Sequence, residues 1–251
     1  MKLEKVKVIS NVNLRKDYYL MKLEYKDSLL AKPGQFLMIK CSNLIYPLLR
    51  RPFAIHKVNK DSFEILYKVV GEGTKILSEK RKGDEIDILG PLGKGFTLDH
   101  NFSSTVILGT GVGCAPLLFL AEELSKRNKK IFILLGGKDE SFILRSEEFK
   151  KFGECFFILK SKGESVFSFF KDFIKDKKTF VYVCTNRALS KEIGNFCKIQ
   201  NIPCEISLES HMGCGIGVCL GCVIYGRNNK FLKVCKDGPV FSAKEVDWTK
   251  Y

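Results

Sequence analysis

STVILGTGVGCAPLLFLAEELSKR, residues 104–127, is where the chain changes its manner of folding. An apolar, β-branched run leads into a turn with Gly109, Gly111 and Gly113, and an apolar helical pattern follows, with Pro116 in its first turn. Proline is tolerated there because the amide it lacks would go unpaired anyway. The same order recurs downstream: KIFILLGG (130–137) then SEEFKKF (146–152), CFFILK (155–160) then VFSFFKDFI (166–174), and TFVYVCT (179–185) then RALSKEIGNFCKI (187–199). Strands alternating with helices predict a parallel sheet covered by helices on both faces. Upstream the pattern is different. EKVKVISNV (4–12), YYLMKLEY (18–25), GQFLMIKC (34–41), FAIHKV (53–58) and SFEILYKVV (62–70) are short alternating runs separated by turns such as KPGQ and NKDS, which predicts an antiparallel barrel. The fold class is therefore β followed by α/β, with boundaries expected at 1–98, 99–206 and a glycine-rich tail at 207–251.

The glycine turn admits two readings. Backbone amides where a strand feeds a helix can hold a pyrophosphate. The spacing G-x-G-x-G departs from the G-x-G-x-x-G fingerprint, so a tight turn without a ligand stands beside it.

The tail carries the more specific signal. In HMGCGIGVCLGC (211–222), Cys214, Cys219 and Cys222 are spaced C-x4-C-x2-C, and Cys235 follows in FLKVCKDGPVF (231–241). That is the spacing of a plant-type [2Fe–2S] ligand loop. Gly213, Gly215, Gly217 and Gly221 are expected to supply the left-handed and close-approach conformations that wrapping a cluster demands. Structural zinc favours paired short knuckles, and only Cys219 and Cys222 form one. A disulfide framework suits short exported chains, and the N-terminal MKLEKVKVISNVNLRKDYYL has neither an export signal nor a membrane anchor. The six other cysteines (Cys41, Cys114, Cys155, Cys184, Cys197, Cys204) sit mostly in apolar runs, as free thiols do in a reducing cytoplasm.

With 251 residues, 45% of them hydrophobic, the chain can bury a large core. Its 42 basic and 28 acidic residues give a net charge of +14. The lysines are scattered through EKRKGDE, SKRNKK and KDKKTF without interleaved aromatics, which argues for a solvated surface and against nucleic acid. The excess favours anionic cofactors or an acidic partner.

Taken in order, these segments resemble the ferredoxin reductase superfamily, and in particular the electron transfer subunits of heteromeric, NAD-linked dihydroorotate dehydrogenase. RRPFAIH (50–56) resembles the family's flavin motif, which implies that Arg51 pairs with the FAD pyrophosphate while Pro52, Phe53 and Ala54 line the isoalloxazine. Ala54 stands where the family has a hydroxyl residue. LYKVVGEGTKIL (66–77) resembles the strand and turn that grip FAD, with Leu66, Tyr67 and Lys68 along one side and Gly73 and Thr74 opening a short helix toward the phosphates. GPLGKGF (90–96) resembles the segment that closes the family's barrel. GTGVGCAPL matches the nicotinamide-nucleotide loop, and VYVCTNR places Cys184 near the nicotinamide, although Thr185 and Asn186 depart from the family's glycine and proline. Cys214 stands where the related ferredoxin-dependent transhydrogenase subunits typically have an aspartate ligand, and the SLE before the cluster loop and VCKDGPVF after it resemble the dihydroorotate dehydrogenase subunits.

The resemblance implies FAD, NAD and a [2Fe–2S] cluster, and a heterotetramer with an FMN-containing catalytic subunit that oxidises dihydroorotate. The chain itself would need no catalytic acid or base, and His56, His100 and His211 form no proton-transfer constellation. Two other readings remain. One is the small subunit of an NAD(P)H–ferredoxin or polysulfide oxidoreductase, where Asp139 would favour NAD and Lys138 NADP. The other is a non-catalytic redox sensor, which bound flavin reducible by NADH would exclude.

Overall fold

The computed structural model describes residues 1–127, 129–175 and 178–251. Asn128, Asp176 and Lys177, within two of the lysine-rich runs, lie outside the described residues. Strands β1 (Lys2–Arg15), β2 (Tyr18–Glu24), β3 (Phe36–Lys40), β4 (Arg51–Ala54), β5 (Lys57–Asn59) and β6 (Ser62–Lys68), helix α1 (Glu72–Ser78) and strand β7 (Glu85–Leu92) make the first half. The strands form one curled sheet in the order β4-β3-β7-β1-β2-β6-β5, antiparallel at every pairing. Alternation decides which face curls inward. Val6, Val8, Met21, Leu23, Leu37, Ile39, Phe63 and Ile65 point into a shared core, each burial stabilising by about 1.5–3 kcal/mol.

FAIHKV is two strands and not one. Phe53 and Ala54 pair with β3; after Ile55 and His56 the chain pairs with β6 through Lys57↔Glu64 and Val58↔Phe63. One continuous piece of chain thus spans the gap between the two edges of the sheet and completes the curl.

The second sheet holds β8 (Ser104–Thr110), β9 (Lys130–Gly137), β10 (Glu154–Leu159), β11 (Phe180–Cys184), β12 (Cys204–Ser207) and β15 (Val240–Ser242), in the order β10-β9-β8-β11-β12-β15. All are parallel except β15, which runs antiparallel to β12. Helices α2 (Leu117–Ser125) and α3 (Ser146–Phe149) pack with Ile107, Ile131, Ile133 and Tyr182 on one face. Helices α4 (Val166–Ile174) and α5 (Arg187–Ile199) pack with Val106, Leu108, Val181 and Val183 on the other. The helices therefore cover both faces, as the alternation requires.

Between β12 and β15 the chain makes an excursion with the hairpin β13 (Val223–Tyr225) and β14 (Phe231–Lys233) and the single turn α6 (Val234–Asp237). It returns beside its starting point, Ser207 opposite Val240. Beyond β15, Trp248 is buried against α5 and its Nε1 donates to the Ala243 carbonyl at 2.7 Å. A side chain on Gly194 of α5 would run into that indole. The two sheets are pinned at the junction, where the Thr97 amide and hydroxyl donate to Glu205 at 2.8 and 2.6 Å and Phe96 meets Tyr182 edge to face at 5.5 Å. Among the described residues no helix is long and apolar enough to cross a membrane.

Candidate functional site

The four tail cysteines come together as two pairs. Cys214 Sγ accepts from the amides of Ile216, Val218 and Cys219 at 3.4, 3.4 and 3.5 Å, and the Cys219 side chain bonds to it as well. Cys222 and Cys235 sulfurs lie 3.2 Å apart, and the Cys235 amide donates to Cys222 Sγ at 3.4 Å. Desolvation raises the Cys214 pKa, but the three amides outweigh it and bring the thiol down to about 6; burial, then the Cys222 neighbour, pushes Cys235 up to about 12. Amides aimed at sulfur favour the thiolate, which is the form that binds metal. Among the described residues no three His, Cys, Asp or Glu side chains meet around a single ion; the sulfurs are arranged two and two. This donor set fits a cluster with two irons, each taking two thiolates.

The four glycines of this loop do not share one role. Gly215 and Gly217 have φ of +74° and +84°, whereas Gly213 serves close approach, a Cβ on it lying 3.3 Å from Cys219 Sγ; at Gly221 a Cβ would make only an ordinary contact, 3.6 Å from the same sulfur. The remaining left-handed position is Leu220, at φ +58°. A leucine there costs about 1 kcal/mol that a glycine would not.

In the curled sheet the flavin-motif residues face a strand edge that has no partner, and the gap between them forms a slot in the sheet. β5 pairs with β6 only as far as Glu64, so Leu66, Tyr67 and Lys68 have β2 on one edge and no strand on the other. β4 passes opposite without pairing to them. Strand alternation sends Leu66 toward the second sheet and Tyr67 into the curled core, so what the segment Leu66, Tyr67 and Lys68 presents jointly along this side is its backbone edge. Tyr67 closes the slot from below, its ring 5.7 Å from Phe53 and its hydroxyl donating to Asn11 Oδ1 at 3.1 Å. Lys68 lies over Tyr18, 5.6 Å from the ring centre. Pro52 and Ala54 are half-buried on β4. Arg51 and Gly73, 22 residues apart in sequence (73 minus 51), come into contact: a Cβ on Gly73 would sit 3.5 Å from the Arg51 side chain. The Thr74 hydroxyl accepts from the Val70 and Gly71 amides at 2.9 and 3.1 Å, which fixes the turn before α1.

The three glycines after β8 have three different jobs. Gly109 lets Leu117 of α2 close on the strand, since a Cβ would lie 2.8 Å from its side chain. Gly111 takes φ +53° and faces open space. Gly113 lies against the end of β11, where a Cβ would come within 2.5 Å of the Cys184 carbonyl oxygen. A 3-10 turn, Gly111–Cys114, precedes α2, so Pro116 stands at the helix cap and not within its first turn. Cys184 is buried and burial raises its thiol pKa, so it is neutral. Asp139 caps the turn after β9 by accepting from the Ser141 amide at 3.0 Å, and Arg15 approaches it at 3.7 Å.

Two features were not singled out by sequence reasoning. Glu209, noted only as part of SLE, reaches solvent beside Cys184 and Tyr251, yet the surrounding protein raises its carboxyl above the ordinary range. The Leu44–Leu49 loop is exposed although strongly apolar; the residue types alone gave no sign of that.

A curled antiparallel sheet joined to a parallel sheet, with an iron–sulfur segment at the end, defines a ferredoxin reductase-like electron-transfer protein. The family model for the iron–sulfur cluster binding domain of dihydroorotate dehydrogenase B matches residues 209–247, which include all four cysteines. Over 250 residues the chain is 39% identical to the dihydroorotate dehydrogenase B (NAD(+)) electron transfer subunit of Caldanaerobacter subterraneus subsp. tengcongensis, covering 96% of this chain and 97% of the relative. Its counterpart in Desulforamulus reducens is 36% identical over 256 residues, with the same coverage of 96% and 97%. The chain belongs to the family of dihydroorotate dehydrogenase B electron transfer subunits. Among solved structures, a chain of the NADH-dependent reduced ferredoxin-NADP oxidoreductase superposes with a TM-score of 0.84 at 25% identity, covering 97% of this chain and 90% of that one. Ferredoxin-NADP+ reductase from Plasmodium falciparum, at TM-score 0.64 and 16% identity over 80% of this chain and 95% of that one, shares the fold.

Proposed function

We propose that this chain receives electrons from an FMN-bearing subunit that oxidises dihydroorotate to orotate, and delivers them to NAD+. The observation that carries the reading is the two-by-two cysteine loop, seated on the outer face of the flavin-type sheet: a Cβ on Gly215 would lie 2.5 Å from Met38 of β3. Residues 1–98, 99–206 and 207–251 serve as the FAD, NAD and cluster units in turn. Bound there, the cluster would pass single electrons and the flavin would combine two of them into a hydride for the nicotinamide.

The protein's part is to hold and align these groups. Cys214 with Cys219, and Cys222 with Cys235, would each supply two thiolates to one iron. Arg51 offers its guanidinium to the FAD pyrophosphate, with Gly73 and Thr74 shaping the same corner. Pro52, Phe53 and Ala54 form one wall of the ring slot, and the backbone edge of Leu66, Tyr67 and Lys68 forms the other. Gly111 faces the open side that would take the dinucleotide, Gly109 and Gly113 hold α2 and β11 close behind it, and Cys184 ends the strand beside it. No residue of this chain is asked to abstract a proton from dihydroorotate.

The test is reconstitution with a purified FMN-containing dihydroorotate dehydrogenase subunit, following NADH formation from dihydroorotate. The isolated chain is expected to move electrons from NADH to artificial dyes and to leave dihydroorotate untouched. Dihydroorotate oxidation by the isolated chain, or stoichiometric zinc with no acid-labile sulfide after anaerobic purification, overturns the reading.

A further inference from the structure

The β3–β4 hairpin ends in an apolar tip that none of the described residues covers. Leu44, Ile45, Tyr46, Leu48 and Leu49 are 77%, 86%, 70%, 74% and 52% exposed. Single exposed apolar side chains are ordinary, but five within six consecutive positions make a patch. The cluster loop adds Ile216, Val218 and Leu220, at 40%, 74% and 62%.

Sheet register brings the cluster loop to the base of the tip. Gly215 rests on Met38, and Met38 pairs with Pro52 across the hairpin. Lys40, where β3 ends and the tip begins, is two residues further on, about 7 Å along a strand. Arg50, next after Leu49, turns back to donate to the Met38 carbonyl at 3.5 Å and to Asp87 at 3.0 Å, which holds the base of the tip against the same strand. Between cluster loop and sheet lies a cavity of about 290 Å³ whose lining includes Cys235, Ile216, Lys94 and Lys236.

We infer that the Leu44–Leu49 tip and the exposed residues of the cluster loop form one docking surface, and that its occupant is the FMN-bearing catalytic subunit. The inference rests on the function proposed above. Electrons must enter near the cysteines, so whatever donates them covers the cluster loop. A surface continuous with that loop is covered by the same body. The lysines at the cavity suit an acidic rim on the partner. A lipid surface or a second copy of the chain would have no reason to select a patch that begins at the cluster.

The experiment compares the wild-type chain, loaded with FAD and cluster, with an Ile45→Glu, Leu48→Glu double variant, titrating each with the purified FMN subunit. Affinity is expected to fall at least 100-fold in the variant, while NADH–ferricyanide activity and FAD and iron per chain stay unchanged. Hydrogen exchange in the unmutated chain gives a second readout, with residues 42–49 slowed by the FMN subunit. A wild-type chain that does not bind the FMN subunit overturns this inference together with the proposed function. Equal binding by wild type and variant, or exchange at 42–49 indifferent to the FMN subunit, overturns this inference alone. Slowing of those residues only at high chain concentration, or only by vesicles of phosphatidylcholine and phosphatidylglycerol, assigns the tip to self-association or to lipid and overturns it too.

Discussion

His56 Nδ1 lies 2.7 Å from the carbonyl oxygen of Ala115. The imidazole comes from the piece of chain that completes the curled sheet, and the carbonyl from the turn that leads into α2. This one contact therefore ties the flavin-type sheet to the dinucleotide loop. Burial, reinforced by the Arg145 and Lys57 charges, lowers the imidazole pKa from 6.5 to about 3, against the opposing pull of the Ala115 bond. His56 is thus neutral and donates through Nδ1, while Nε2 is buried without a hydrogen-bond partner among the described residues.

An acid sensitivity follows from that burial. The unfolded chain binds a proton at this histidine near pH 6.5, whereas the folded chain resists it down to about 3. The stabilisation is complete above 6.5 and declines as pH falls through that window. His56→Gln keeps a donor for Ala115 and removes the titration. Melting temperatures taken from pH 7.5 to 5 are expected to fall less steeply in the variant than in the wild type; parallel curves would refute the assignment.

Gly113→Ala and Gly111→Ala separate packing from backbone strain. At Gly113 the new methyl meets the Cys184 carbonyl, so β11 must shift, at a cost of about 1–3 kcal/mol. At Gly111 it meets nothing, and the cost is the left-handed conformation alone, about 1 kcal/mol. Denaturant unfolding should rank Gly113→Ala as the more damaging, and the KM for NADH should rise in it by tenfold or more.

Arg51→Ala is expected to weaken FAD retention by about 2–3 kcal/mol, the worth of a charge-assisted hydrogen bond to phosphate. Ala54→Ser tests the position of the ring. A hydroxyl on the wall of the slot should move the flavin absorption bands or potential and leave binding intact. If FAD content and spectrum are the same in both variants, the ring lies elsewhere.

Legibility in the sequence followed local periodicity. VFSFFKDFI and RALSKEIGNFCKI mark α4 and α5, whose starts are fixed because Ser165 and Asn186 accept from the Ser168 and Leu189 amides at 3.3 and 3.1 Å. FAIHKV was readable as extended chain, but alternation cannot say that its two halves pair with different neighbours. Strands β7, β12 and β15 escaped notice because Gly90-Pro91 interrupts the first and the other two are four and three residues long, recruited by tertiary pairing. At the site, cysteine spacing carried over into two sulfur pairs. The inward turn of Tyr67 and the exposure of Leu44–Leu49 depend on contacts between distant segments, which composition does not record.

Cys219→Ser should lower iron and acid-labile sulfide toward zero, since Cys219 lies exposed on the cluster loop and an alcohol is a far poorer ligand than a thiolate. FAD content should stay at the wild-type level, because the slot proposed for the flavin lies between β4 and β6. Loss of flavin together with iron would show that the two units do not fold separately.

The excursion between β12 and β15 begins and ends at neighbouring strands, with Ser207 facing Val240 and Trp248 seated on α5 just beyond. β-Pairing and a buried indole thus hold the two ends of the excursion close together. For a maturation apparatus a frame tied in this way is expected to act as a mould, keeping the four cysteines near one another when iron and sulfide are delivered. Oxidative loss of the metal would be local damage that leaves the frame standing for repair.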